Sequence, residues 1–193
     1  MSYHCRNNLN GYKVHLLSTT SLKHLAIILL LGTTGCRSTV DGDYSRLDDD
    51  RNEAIALRNI KASHPGLADA NISVTSYNGF VLITGQVNTP EQITQAGAAV
   101  SQMRNVRKVH NELVVAGPTT LLSRTNDRFL STKVNKALLG SDEIDSSRIK
   151  VMTENGDVYL MGVVSRQEAD LAVDAARQVY GIQKIVKVFD YLN

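Results

Sequence analysis

Two β-rich runs, Ile149 to Met152 and Val158 to Val164, flank the dipeptide Asn155-Gly156. Asn-Gly between such runs predicts a hairpin, because a type I′ turn requires positive φ at both central positions. The pattern occurs a second time, with Ile72 to Tyr77 and Phe80 to Gly85 around Asn78-Gly79. Superposing the two Asn-Gly pairs puts Ile72 on Ile149, Val74 on Val151, Val81 on Val158, Ile83 on Leu160, Gly85 on Gly162 and Glu91 on Glu168. All six pairs share one offset of 77 (155 minus 78). Chance does not align that many positions, so the chain reads as two copies of one small domain behind a leader.

Each copy reads as α-β-β-α-β. In the first, Asp48-Asp49-Asp50 opens a helix, because carboxylates in the first turn offset the positive end of its dipole. That helix is expected to bury Ala54, Leu57 and Ile60 or Lys61 and to end at His64-Pro65-Gly66. After the hairpin, Thr89 and Pro90 predict a helix start, with Ile93, Ala96, Gly97, Val100 and Met103 inward and Asn105 as a left-handed terminus. Residues 106–115 read as the third strand. In the second copy a helix over 126–139 precedes the hairpin. Ser165 caps another helix that buries Ala169, Ala172, Val173 and Ala176, and 182–192 forms the last strand. A parallel β-helix-β crossover puts both helices on one face of a three-stranded mixed sheet. Two such units of roughly 70 residues are each near the lower limit for a self-sufficient core, which favours one docking on the other. Tyr77, Tyr159, Tyr180 and Tyr191 are expected in the core or between the domains.

The first 35 residues are not part of that fold. Lys13 and Lys23 precede the apolar run Leu25 to Leu31, and Gly32-Thr33-Thr34-Gly35-Cys36 follows. This is the layout of a secretory signal peptide, and the run is too short for a stable membrane span. A Cys directly after a small residue there resembles a bacterial lipobox, with Thr33 standing where that pattern favours Leu. Cys36 is then the acylated first residue of the mature chain; the plainer alternative is a signal peptide with an incidental Cys. No second Cys follows, so no intrachain disulfide can form. Residues 37–45 are short and polar, a tether. Arg6, Lys13 and Lys23 leave with the leader, so 18 of the 21 basic residues remain against 19 acidic ones. Without a basic excess there is no footprint for nucleic acid.

Two α-β-β-α-β units, the hairpins ending in Gly85 and Gly162, the Glu91 and Glu168 helices and the lipobox-like leader together resemble the dual BON-domain outer-membrane lipoproteins. The segments 125–134 (TNDRFLSTKV) and 153–162 (TENGDVYLMG) are especially similar to that family. The resemblance covers nearly all of residues 36–193. It implies an α+β chain with a lipoprotein signal peptide over 1–35, a tether over 36–45, BON domain 1 over 46–116, a linker over 117–124 and BON domain 2 over 125–193. It also implies an outer-membrane, lipid-anchored, periplasm-facing protein that supports envelope integrity. In that family the second domain's first helix binds anionic phospholipid.

The residues of that helix can be read independently. Leu130, Val134, Ala137 and Leu138 form its core stripe. Phe129, Lys133 and Lys136 form a second stripe, roughly 100° around the axis. An aromatic beside two lysines, with Arg128 adjacent, suits the boundary between anionic headgroups and acyl chains. The residues alone leave a second reading equally open, in which Phe129 packs on the other domain and the lysines are solvated charge. The first domain's helix, Leu47-Asp48-Asp49-Asp50-Arg51-Asn52-Glu53, is acidic and lacks an aromatic, so lipid contact belongs to the second copy.

Other chemistries find no support. His64 and His110 are the only histidines after the leader, too few for a metal site. No Gly-x-Ser-x-Gly elbow or phosphate-binding glycine loop is present. The expectation is a non-enzyme without cofactor or metal. Two alternatives stand beside the lipid reader: an adaptor for envelope-assembly or peptidoglycan-remodelling machinery, and a soluble periplasmic osmotic-stress BON protein whose Cys36 is not acylated.

Overall fold

The computed structural model describes residues 46–117 and 120–192, so the leader, Cys36 and the tether lie outside the described residues. The first domain runs α1 (Arg46–Ser63), β1 (Asn71–Tyr77), β2 (Phe80–Val87), α2 (Pro90–Ser101) and β3 (Lys108–Val115). The second repeats the order as α3 (Leu121–Leu139), β4 (Ile149–Glu154), β5 (Asp157–Val164), α4 (Arg166–Arg177) and β6 (Lys184–Tyr191). In each sheet the hairpin is antiparallel, the third strand runs parallel to the second, and the middle strand is β2 or β5.

The turn chemistry explains the hairpins. Asn78 and Asn155 both have φ of 52°, and the glycines after them are also positive, as a type I′ turn demands. Gly85 and Gly162 serve a close backbone approach. A Cβ on Gly85 would lie 2.0 Å from the Asn71 carbonyl oxygen, and one on Gly162 would lie 2.4 Å from that of Arg148.

Period-2 alternation divides each sheet into two faces. Val81, Ile83 and Val87 meet Ala56 and Ile60 of α1 and Ala96 and Val100 of α2. Val158, Leu160 and Val164 likewise meet Val134 and Leu138 of α3 and the alanines of α4. Both helices of each unit therefore cover one face, as the crossover argument requires. The opposite faces meet over part of their area, leaving Lys108 and Val114 exposed at the margin. Leu82 of β2 joins Tyr159, Met161 and Val188 in a third apolar cluster, with Tyr77, Met152 and Val186 around it. The two sheets thus dock through the faces their helices leave bare. Polar ties surround the cluster: Arg107 and Asn78 both donate to Asp190 (2.6 and 3.2 Å), Gln86 donates to Glu154 (2.7 Å), and Lys150 donates to Glu53 (2.9 Å). All three clusters and the polar ties between them are drawn from residues 46–192, so a fragment that keeps those residues keeps every apolar contact of the core described here.

Several local expectations change. The buried face of α1 is Asn52, Ala56 and Ile60, and Ala54 points outward. Hydrophobicity alone misplaced that stripe, because Asn52 can be buried once its amide donates to the Asn105 carbonyl (3.2 Å). Asn105 is not a left-handed terminus, since Asn78 and Asn155 are the non-glycine residues with positive φ. The linker over 117–124 is also shorter than expected. Helix α3 begins at Leu121, with the Thr120 hydroxyl as its cap accepting from the Ser123 N–H (3.2 Å).

Candidate functional site

Helix α3 is fixed by its inner face. Leu130, Val134 and Leu138 enter the core, and Asp127 is buried beside them. The Asp127 carboxylate accepts the backbone N–H groups of Asn155 and Gly156, both at 2.8 Å. A buried charge is tolerable when it is hydrogen-bonded in this way. The Ser123 hydroxyl donates to Asn155 (2.9 Å) and the Ser131 hydroxyl to Thr153 (2.8 Å), so the helix is sewn along the β4–β5 hairpin.

Its outer face is free of those duties. Phe129 is 58% exposed and does not belong to the cluster between the sheets. The Lys133 ammonium lies over the Phe129 ring, 4.4 Å from its centroid, a cation–π contact. Arg128 and Lys136 are exposed on either side. The structure therefore brings Arg128, Phe129, Lys133 and Lys136 together on one outward surface, and the alternative in which Phe129 fills the domain interface is not what the chain does. Cys36 lies outside the described residues.

The sequence reading missed two members of this surface. Leu121 and Leu122, 80% and 81% exposed, continue the stripe by two turns toward the helix start. Assigning residues 117–124 to a linker concealed them, although Thr120 ahead of Leu-Leu was an available cap signal. Leu139 is exposed at the far end. Apolar side chains thus stand at both ends of this basic helix face. Among the described residues no helix is long and apolar enough to cross a membrane, and no group of three metal-capable side chains occurs.

The remaining candidates have structural roles. A cavity of about 540 Å³ between the domains is lined by Arg46, Asp49, Ser76, Tyr77, Ser147 and Lys150. Asp49 accepts from Ser76, Asn78 and Gly79, while Lys150 donates to Glu53 and to the Ser76 carbonyl, so these groups already serve the fold. His64 accepts from Gly66 at the end of the first helix. His110 stacks on Phe80, where burial and then the nearby Lys108 hold its pKa below the usual histidine value while Glu112 opposes them. Glu168 closes a capping box with Ser165, whose backbone and hydroxyl hydrogen bonds lower its pKa. Tyr77 and Tyr159 do lie between the domains, but Tyr180 is 93% exposed, contrary to expectation.

Comparison with known proteins agrees with this architecture. The BON-domain family matches residues 48–117 and again 126–193. Over 195 aligned residues the chain is 30% identical to the Outer membrane lipoprotein DolP of Haemophilus influenzae, covering 92% of this chain and 100% of the relative. It is 30% identical over 149 residues to the 21 kDa hemolysin of Actinobacillus pleuropneumoniae, 77% of each. The Osmotically-inducible protein Y of Escherichia coli is 24% identical over 152 residues, 76% of each.

Proposed function

The chain belongs to the BON-domain family, and from that premise we propose that it is a non-enzymatic lipoprotein of the outer membrane. It faces the periplasm and docks on anionic phospholipid through the outer face of α3, in support of envelope integrity. Acyl chains on Cys36 supply the anchor, at about 0.8 kcal/mol per buried CH₂. The observation that carries the reading is the exposed Phe129 held under Lys133, with Arg128 and Lys136 beside it. Each cation near an anionic surface contributes about 1 kcal/mol, and the ring supplies an apolar wedge.

The test is co-flotation of the 37–193 fragment, which lacks the anchor, with vesicles containing phosphatidylglycerol and with purely zwitterionic ones. Flotation with the anionic vesicles, lost in Phe129→Glu, is the expected result. No flotation with either leaves Cys36 as the membrane contact and hands the lead to an adaptor. One observation favours that second reading: α1 exposes Leu47 on an acidic face, and β3 exposes Val114 and Val115.

A further inference from the structure

The turn between α4 and β6, residues 178–183, projects Tyr180 from the second domain with 93% of its surface exposed, the largest exposure among the described large apolar side chains. Single exposed apolar residues are ordinary, so the position of this one is what matters. Gly181 has a φ of +102°, and a Cβ there would lie 3.3 Å from Leu130, so the turn is pressed against the middle of α3. Leu130 is the chain neighbour of Phe129. The Gln183 N–H donates to the Gly156 carbonyl (2.9 Å), and the Gly156 N–H donates to Asp127, which ties the turn to the same end of the domain. With Gly181 on Leu130 and Gln183 on Gly156, the turn that carries Tyr180 is held against the middle of α3. Tyr180 and Phe129 are thus exposed side chains of two segments that meet at Leu130.

The charges around the turn suit the same surface. Arg177 and Lys184, on either side of Tyr180 along the chain, line a groove of about 320 Å³ together with Val173, Val179 and Ile182. Their carboxylate partners, Asp174 and Glu112, are in exposed pairs at 2.9 and 3.4 Å. Exposed pairs of this kind are weak and can be exchanged for lipid phosphates. Tyr is a residue whose ring prefers the headgroup boundary while its hydroxyl stays wet.

We infer that the turn at Tyr180 is a second membrane-contact element, which enters the headgroup region of an anionic bilayer beside α3 and fixes how the second domain is oriented on it. This rests on the reading of α3 as the lipid-docking helix. A single amphipathic helix can roll about its own axis on a membrane, and a second contact to one side removes that freedom.

The chain contains no Trp, so one introduced indole reports a single site. Phe129→Trp and Tyr180→Trp are each placed in the 37–193 fragment and titrated with phosphatidylglycerol-containing vesicles carrying brominated acyl chains. A blue shift and quenching of both indoles is the expected result. A response from Phe129→Trp with none from Tyr180→Trp overturns the second contact and leaves the α3 reading standing. Silence from both overturns the two together. In a parallel titration Tyr180→Ser, on a turn whose side chain faces solvent, keeps its unfolding midpoint and loses about fivefold in vesicle partition. Unchanged partition overturns the inference.

Discussion

Helices α1 and α3 occupy the same place in two copies of one fold, yet they agree only on the side that faces inward. Each sends an Asp to its own hairpin turn. Asp49 accepts from the backbone N–H groups of Asn78 and Gly79 and from the Ser76 hydroxyl, and Asp127 accepts from those of Asn155 and Gly156. The separation along the chain is 29 residues in one copy and 28 in the other. Matching the two Asp residues places Asp50 on Arg128 and Arg51 on Phe129. Glu53 of α1 is committed to the Ser76 N–H and to Lys150 of the other domain. The inner face obeys the fold in both copies, and only the outer face, which the fold leaves unused, became basic and apolar in one of them.

The largest effect comes from breaking what the helices share. Asp127→Ala leaves two N–H groups without their acceptor inside the domain and is expected to lower stability by about 3 kcal/mol in urea unfolding, with Asp49→Ala, less deeply buried, costing about 2 kcal/mol. If both cost under about 0.5 kcal/mol, the helix–turn tie is incidental. Next comes what they do not share. Phe129→Glu is expected to cut partition into anionic vesicles at least tenfold, about 1.4 kcal/mol, while its unfolding free energy stays within about 0.5 kcal/mol of the parent. Equal losses of binding and stability would mean that the ring supports the fold instead. A transplant sharpens the contrast: Asp50→Arg with Arg51→Phe gives α1 the Arg-Phe pair of α3 and is expected to raise vesicle partition about threefold or more. No gain would show that the placement of α3 matters more than its side chains.

The smallest effect is a titration in the first domain. His110 has a folded pKa below the ordinary value of 6.5, chiefly through burial. Above that value both folded and unfolded chains hold it neutral, and stability is unaffected. Below it the unfolded chain takes up a proton that the folded chain resists, so stability falls as pH drops. The expected loss between pH 7 and pH 5 is under about 3 °C in Tm, and it shrinks in His110→Gln. An undiminished pH response in His110→Gln would place the titrating group elsewhere.

The elements were legible because their signals are local. Asn-Gly announces a turn by its own φ preferences. Ser165 with Glu168 announces a cap, and the alanine and valine spacing of α4 named its buried face without error. Reading failed where a polar residue was buried by a distant partner. Asn52 and Asp127 look like surface residues until Asn105 and the 155–156 turn come to meet them. Leu121 and Leu122 were lost for a different reason: two leucines after a Gly-Pro break carry no period, and only their exposure of 80% and 81% shows that the described residues leave them uncovered.

By itself the sequence determined that there are two copies, the α-β-β-α-β order of each, and the basic-aromatic stripe on the helix that opens the second. Short-range preferences and periodicity suffice for all three. The tertiary structure decided which sheet faces meet, with Leu82 against Tyr159, Met161 and Val188, and so which surfaces stay open. It also brought the turn that carries Tyr180 against α3, far away in the chain, because Gly181 at positive φ comes to rest on Leu130. Apolar burial is non-directional, so strand alternation can mark a face as apolar without saying what will cover it.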